Sequence, residues 1–151
     1  MIKTSCSSLR RSDIIVFPMS SRLSGDEIIK RISHFDDVQV FDGRTIVHED
    51  QIRFAFLHAL KAFEEGKNIA SKLPLEILLR AATTRQISVA IKNIGIKDPN
   101  YIIVGALACN HSKAELLKLL EGRERKWEAR QKDEQSLIKI IQKMVEVQLE
   151  S

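Results

Sequence analysis

The chain has 151 residues, of which 44% are hydrophobic and 29% charged, which is ordinary for one globular domain with its own core. Its two cysteines, Cys6 and Cys109, lie far apart in sequence and suggest neither a disulfide framework nor a thiolate metal site. The polar start of the chain is not followed by an apolar run long enough for a secretory signal or a membrane span, so we expect a cytoplasmic protein.

Apolar runs of strand length alternate with apolar residues at helical spacing along the chain. In chain order they predict a strand at Ile14–Phe17, a helix at 24–34, a strand at Val38–Phe41 with a hairpin partner at Thr45–Val47, helices at Gln51–Glu65, Pro74–Ala82 and Thr83–Ile94, a strand at Tyr101–Ala108, a helix at Ser112–Gly122 and a helix at 126–150. We therefore expect an α/β (α+β) fold. A small mixed or antiparallel sheet of about three to four strands would be covered by about six helices, the last of them long.

Several boundaries follow from residues that start or stop an element. Ser or Thr followed three positions later by Glu or Gln is the spacing of a capping box. It occurs at Ser24–Glu27, Thr83–Gln86 and Ser112–Glu115. Pro18 is expected to end the first strand, and Gly66 to end the helix that Asp50 opens. We expect one domain, 1–151, with a polar, flexible N-terminus at 1–13.

The formal charge of +4 is concentrated in the middle of the chain. Residues 1–66 hold nine basic and ten acidic residues (−1), and residues 98–151 hold nine of each (0). Between Lys67 and Lys97 six basic residues face one acid, Glu76, which gives 6 − 1 = +5. Such an excess is typical of a surface that meets phosphates, and also of scattered solvating charges on helix faces. The acids and bases of 121–134 balance, and we expect a solvated helical segment with no site there.

The residues that could carry catalysis form no recognisable site. The glycines do not form a phosphate-binding loop, and the four histidines show no metal-ligand spacing. His48 and Glu49 stand at a predicted helix start, where capping explains them, and Cys109-Asn110-His111 are sequence neighbours that rarely face each other. The sequence predicts no catalytic residue, no metal and no cofactor. An alternative is a small metabolic enzyme with a pocket around His48, Glu49 or His111.

The order of segments between Val47 and Ile96 resembles the TPRKB family. The segments are the His48-Glu49-Asp50 helix start, the helix Gln51–Glu65, the turn Gly66-Lys67-Asn68-Ile69-Ala70, the apolar Leu75–Leu79, and Thr84-Arg85-Gln86-Ile87 leading to Ala90-Ile91 and Gly95-Ile96. The resemblance covers roughly residues 14–107. This family is the small kinase-binding subunit of the KEOPS complex, and the short chain is more similar to archaeal members.

This resemblance implies a non-enzymatic subunit bound directly to the KEOPS kinase-like ATPase subunit, and through it to the other KEOPS subunits. The assembly makes threonylcarbamoyladenosine beside the anticodon of certain tRNAs. Archaeal members also capture tRNA, mainly through the single-stranded 3′ CCA end. Besides the metabolic enzyme, a further alternative is a general single-strand RNA-binding protein.

The predicted helix after Thr83 lies in the basic region Lys67–Lys97 and offers residues for the tRNA binding that the resemblance implies. With Ile87, Ala90, Ile91 and Ile94 turned to the core, the opposite side would carry RNA contacts. Arg85 would meet a phosphate at the first turn, and Val89 a base face. The RNA-binding candidates are Lys67, Lys72, Arg80, Arg85, Gln86, Val89, Lys92, Asn93 and Lys97. The candidates for partner binding are apolar positions of the last helix, Ile138, Ile140, Ile141, Met144 and Val147.

Overall fold

An antiparallel sheet of four strands forms the centre of the structure. The computed structural model describes residues 9–149. The strands are β1 (Ile14–Ser21), β2 (Val38–Asp42), β3 (Ile102–Leu107) and β4 (Gly122–Glu124), in the spatial order β2-β3-β1-β4. Every residue of β3 is buried, because the sheet is covered on both faces. This confirms the prediction of a central strand at this position.

Six helices cover the two faces of the sheet unequally. They are α1 (Gly25–Ile32), α2 (Glu49–Glu64), α3 (Leu73–Ala82), α4 (Ile87–Ile94), α5 (Lys113–Leu119) and α6 (Glu134–Leu149). One apolar cluster joins α2, α3, α4 and α6 to the first face, and a second joins α1 and α5 to the other. The predicted fold class, with a small sheet, about six helices and a C-terminal helix, is confirmed.

The helix boundaries agree with the sequence where local capping determines them. Ser24 accepts a hydrogen bond from the backbone N–H of Glu27, and Ser112 accepts one from Glu115. Gly66, at φ +69°, ends α2, because the N–H of Lys67 reaches the carbonyl of Ala62 at 2.8 Å as in a Schellman motif. These boundaries need no tertiary contact, which is why the sequence alone predicts them.

The first strand does not end at Pro18 as predicted. β1 runs through it to Ser21, and Pro18 lies opposite Ile103 of β3. The carbonyl of Pro18 accepts from the N–H of Arg125 at 2.9 Å, on the side of β4. In a strand the N and C=O of one residue point to the same side, so the missing N–H of Pro18 leaves the pairing with β3 intact.

Two other predicted local structures are absent from residues 9–149. No strand forms at Thr45–Val47, because β2 pairs with β3 and Gly43 packs directly on Tyr101, whose carbonyl accepts the Gly43 N–H at 2.9 Å. The Thr83–Gln86 capping box is also wrong. Thr83 is the C-cap of α3 in the left-handed conformation, and α4 begins only after Gln86, whose side chain makes no capping hydrogen bond.

The segment before α6 is not helical, contrary to the predictions for 121–134 and 126–150. It forms β4 and a 3₁₀ turn at Ala129–Gln131, and α6 begins at Glu134. The buried side chain of Gln131 donates to the carbonyls of Gly43 and Ile46, both at 2.9 Å, and accepts from the hydroxyl of Tyr101. These long-range hydrogen bonds override the local helical pattern.

Two observations concern the environment of the chain. Among residues 9–149, no helix combines the length and apolarity that crossing a membrane requires. Cys109 is disulfide-bonded, which contradicts the expectation drawn from the wide spacing of the two cysteines. The other cysteine, Cys6, and the first eight residues of the predicted flexible N-terminus lie outside the described residues.

Candidate nucleic-acid interface

A cleft of about 480 Å³ lies between the α3–α4 turn and the last turns of α6. We call it the α4–α6 cleft, and its lining residues are Thr83, Thr84, Arg85, Gln86, Lys143, Glu146 and Val147. It brings together two cations, two hydroxyls, an amide and the carboxylate of Glu146. Sequence reasoning named Arg85 and Gln86 but missed Lys143, because no local pattern indicates that the end of α6 reaches this turn.

The backbone of the turn is held in a conformation that few side chains adopt. Thr83 has φ 55° and ψ 45°, which is the left-handed region. For a β-branched residue this conformation costs on the order of 1–2 kcal/mol. The hydroxyl of Thr84 then accepts the N–H of Gln86 at 3.2 Å, which orders the chain before α4. Strained residues of this kind cluster at functional sites, so the turn is a candidate site on backbone grounds as well.

Arg85 lies at the mouth of the cleft and is tied to α6. Its Nη1 donates to the carbonyl of Val147 at 2.8 Å, near the C-terminal end of α6, where a cation is favoured by the unpaired carbonyls of the helix. Arg85 precedes α4, so its predicted position in the first turn of that helix is wrong. A guanidinium has five N–H donors, and the bond to Val147 uses one of them.

α4 packs more narrowly than the sequence predicts. Ala90 and Ile94 are buried, but Ile87 is 37% exposed and Ile91 is 53% exposed. The prediction that all four face the core is therefore wrong for Ile87 and Ile91. At about 100° per residue, the two exposed isoleucines lie on the opposite flank of α4 from Val89 and its neighbour Asn93. The exposed isoleucines and the predicted RNA contacts Val89 and Asn93 thus lie on different flanks of the helix.

Arg80 is not available to RNA, contrary to its prediction as a contact. Its side chain is fully buried, as is that of Glu76, and the two form an ion pair with Nη2 2.7 Å from Oε2. Their spacing of four residues puts them on the same side of α3, and that side is buried because α3 packs in the core. Because the pair cancels, the remaining five basic residues between Lys67 and Lys97 still give 5 − 0 = +5.

The five remaining cations lie at different places along the α3–α4 region. Lys67 and Lys72 precede α3, Arg85 follows it, Lys92 is in the last turn of α4, and Lys97 is in the loop towards β3. The ten residues of α3 separate its two ends by about 15 Å. Within residues 9–149 none of these five side chains forms an ion pair with a carboxylate. Their charge is therefore uncompensated.

The apolar candidates on α6 divide into core and surface. Met144 is fully buried and Val147 is 5% exposed, so these two belong to the core, and their prediction as partner contacts is wrong. Ile140 and Ile141 are half-buried, and Ile138 is 49% exposed. Val145, next to Met144 on α6, is 45% exposed. Helical spacing puts Ile138, Ile141 and Val145 on the flank of α6 away from the α4–α6 cleft.

The residues of the alternative enzyme pocket have separate partners. Nδ1 of His48 accepts the N–H of Asp50 at 3.0 Å, which confirms the capping role, and its Nε2 lies 3.2 Å from a carboxylate oxygen of Glu134. Nε2 of His111 lies 2.7 Å from Asp37. Among residues 9–149 no cluster of three or more His, Cys, Asp or Glu side chains could hold a metal ion. The two histidines contribute to no common site.

Comparison with known proteins adds a relationship to this geometry. A family model described as "Kinase binding protein CGI-121" matches residues 23–150. The chain is also 41% identical over 69 residues to the KEOPS complex subunit Cgi121 of Pyrococcus abyssi (strain GE5 / Orsay), an alignment that covers 46% of this chain and 39% of that protein. The family match extends through α6, beyond the range 14–107 over which the sequence resemblance is visible. The resemblance to a small kinase-binding KEOPS subunit of archaeal type is confirmed.

Proposed function

This chain belongs to the family of the kinase binding protein CGI-121, and we propose on that basis that it is a non-catalytic subunit of a KEOPS complex. It binds the kinase-like ATPase subunit directly and recruits tRNA through the 3′ CCA end. The threonylcarbamoyladenosine chemistry then belongs to the partner subunits. The observation that carries the RNA half of the proposal is the α4–α6 cleft, where cations, hydroxyls and a free amide meet at a strained turn.

The α4–α6 cleft suits an unpaired strand better than a duplex. Arg85 and Lys143 supply charge for phosphates from two different elements. Thr84 and the exposed Gln86 offer hydrogen-bonding groups for ribose hydroxyls and for the Watson–Crick edges of bases, and those edges are accessible only where bases are unpaired. No aromatic side chain lines the cleft, so recognition rests on charge and hydrogen bonds instead of base stacking.

Charge reversal at Arg85 and Lys143, the two cations that line the α4–α6 cleft, tests the RNA half. For a single strand, each phosphate contact contributes about 0.7 to the slope of log K against log salt, or roughly fivefold in affinity at 0.1 M salt. Losing two contacts predicts about 25-fold weaker tRNA binding for Arg85→Glu with Lys143→Glu. The matched control is Lys61→Glu with Lys132→Glu, two exposed cations that do not line the α4–α6 cleft. Equal loss in both variants would show a non-specific charge effect and contradict the proposal.

The exposed apolar flank of α6 is the surface we propose for the kinase-like subunit. Ile138, Ile141 and Val145 recur at helical spacing, and two of the three are nearly half exposed. An apolar helix face of this kind is typical of a protein interface. The flank is separate from the α4–α6 cleft, so the two partners are able to bind at once.

Aspartate on this flank tests the kinase half. Ile138→Asp with Val145→Asp is expected to weaken binding of the kinase-like subunit by at least 30-fold, the effect of losing about 2 kcal/mol at an interface hot spot. The same change at Ile87 and Ile91, on the exposed flank of α4, is the matched control. If only the α4 variant binds the kinase-like subunit more weakly, the interface lies on α4 instead of α6. If neither variant binds more weakly, neither flank is the interface.

Two alternatives are distinguished by the same reagents. A general single-strand RNA binder would bind a tRNA and an unrelated RNA of equal length with the same affinity, whereas the proposed subunit prefers the tRNA. A metabolic enzyme that uses His48 would lose turnover of its metabolite in His48→Ala and show no tRNA binding. The separate partners of His48 and His111 favour the subunit over the enzyme.

A further inference from the structure

A second and larger cleft, of about 920 Å³, lies at the edge of the sheet where β4 pairs with the end of β1. We call it the β4 cleft. Its polar lining residues include Ser21, Arg22, Asn100, Lys118, Glu121 and Arg123. None of these residues belongs to the α4–α6 cleft.

The strand conformation of β4 places acidic and basic side chains of this segment on different faces. Successive side chains of a strand point to opposite faces, so Arg123 and Arg125 share one face and Glu124 takes the other. On that other face Glu124 pairs with Lys113 of α5 at 2.9 Å. Arg125 lies over the ring of Tyr101 at 5.4 Å. Acids and bases that balance in the sequence are thereby separated in space.

The cations that line the β4 cleft are uncompensated. Within residues 9–149, Arg22, Lys118 and Arg123 are exposed and form no ion pair with a carboxylate. Glu121, the acidic residue among the lining residues, forms an ion pair with Arg31 at 2.8 Å, and Arg31 also pairs with Glu27 at 3.2 Å. The charged residues that line the cleft therefore sum to 3 − 1 = +2 on one concave surface.

The backbone around the cleft is fixed before any ligand arrives. Glu121 has φ 49°, in the left-handed region, and a Cβ at Gly122 would stand 2.0 Å from the carbonyl oxygen of Ser20. Ser21 donates its N–H to the carbonyl of Pro99 at 2.8 Å, which holds the loop of Lys97 beside the cleft. A cation placed on a fixed backbone loses less freedom on binding than one on a mobile loop.

We propose that the β4 cleft binds the sugar-phosphate backbone of base-paired RNA. The cleft is wide and carries no aromatic side chain, so it offers no stack for unpaired bases. Its cations suit phosphates, and Ser20 and Asn100 suit the 2′-hydroxyls that face outwards from an RNA duplex. The duplex contact is independent of the proposed function. The further statement that this duplex belongs to the same RNA that the α4–α6 cleft holds rests on the proposed function.

The test uses a blunt RNA duplex without unpaired ends, which has no tail for the α4–α6 cleft. Losing two phosphate contacts in Arg22→Gln with Arg123→Gln should lower the salt slope of binding by about 1.8, and the affinity at 0.1 M salt by about 60-fold. Lys61→Gln with Lys132→Gln is the control, and it should leave the salt slope and the affinity unchanged. Arg85→Glu should not affect duplex binding, so failure of either cleft is seen separately. Circular dichroism melting verifies that each variant remains folded.

Three outcomes would overturn the duplex proposal. The first is an unchanged salt slope and affinity in the Arg22 and Arg123 variant. The second is displacement of the duplex by polyglutamate of equal charge at equal concentration, which would assign the cleft to an acidic protein. The third is displacement by inorganic triphosphate at the same phosphate concentration, which would make it a site for small anions.

Discussion

Replacing Glu76 with glutamine removes the charge that compensates the buried guanidinium of Arg80. Oε1 of Glu76 accepts the backbone N–H groups of Ile69 and Ala70 at 2.8 and 2.7 Å, and Oε2 accepts Nε of Arg80 at 2.9 Å. Nη1 of Arg80 has no hydrogen-bond partner among the described residues, and Nη2 has only its ion-pair contact with Oε2 at 2.7 Å, so Glu76 is the main compensation for the buried charge. Breaking a buried ion pair from one side costs about 3–5 kcal/mol, and we expect Glu76→Gln to lose that much unfolding free energy.

Urea denaturation with linear extrapolation measures this loss. With a slope of about 2 kcal/mol/M, the midpoint should fall by roughly 1.5–2.5 M. Glu76→Gln combined with Arg80→Met should be more stable than Glu76→Gln alone, because no unpaired charge remains buried. Lys72→Gln, at an exposed cation, should stay within about 0.5 kcal/mol of the unmodified chain. A loss below about 1 kcal/mol for Glu76→Gln would refute the burial argument and restore Arg80 as a candidate RNA contact.

Three further changes test other parts of the structure. Burial, and then two nearby basic side chains, lower the pKa of His58 below its ordinary 6.5. As the pH falls, His58 of the unfolded chain therefore takes up a proton before His58 of the folded chain does, and the unfolding free energy should fall as pH drops below 6.5 towards the lowered pKa. Urea titrations at pH 7.5 and 5.5 measure this dependence, and we expect it to be smaller in His58→Gln. Gly43→Ala places a Cβ 2.3 Å from the ring of Tyr101 and should cost about 1–3 kcal/mol, whereas an unchanged urea midpoint would contradict that packing. Thr83→Gly should raise the melting temperature, since it relieves about 1 kcal/mol of left-handed strain, and a lower one would show that the Thr83 side chain contributes more than its strain costs.

Elements whose limits are set by neighbouring residues were predictable from the sequence. Ser24 and Ser112 cap helices through N–H groups three positions away, and Gly66 ends a helix through its own φ. The continuous apolar run of β3 similarly requires a strand with cover on both faces. In each case the determining interaction is local or is a property of the run itself.

Elements set by distant contacts were not predictable. The alternating acids and bases after Glu121 fit a solvated helix as well as they fit a strand. The segment forms β4 because β1 offers an edge for pairing, and because the side chain of Gln131 donates hydrogen bonds to the carbonyls of Gly43 and Ile46. The burial of Arg80 depends on how α3 packs in the core. The meeting of Arg85 with the end of α6 joins residues 62 positions apart, and no periodicity reports such a contact.

The recruitment of tRNA by its unpaired 3′ end is tested most directly by a double comparison. The affinities of intact tRNA and of the same tRNA without its CCA end are measured for the unmodified chain and for Arg85→Glu with Lys143→Glu. The account predicts that trimming weakens binding to the unmodified chain by at least tenfold and adds little to the loss in the variant, because both changes remove the same contact. Full and independent losses from trimming and from the variant, or no loss from either, would contradict it.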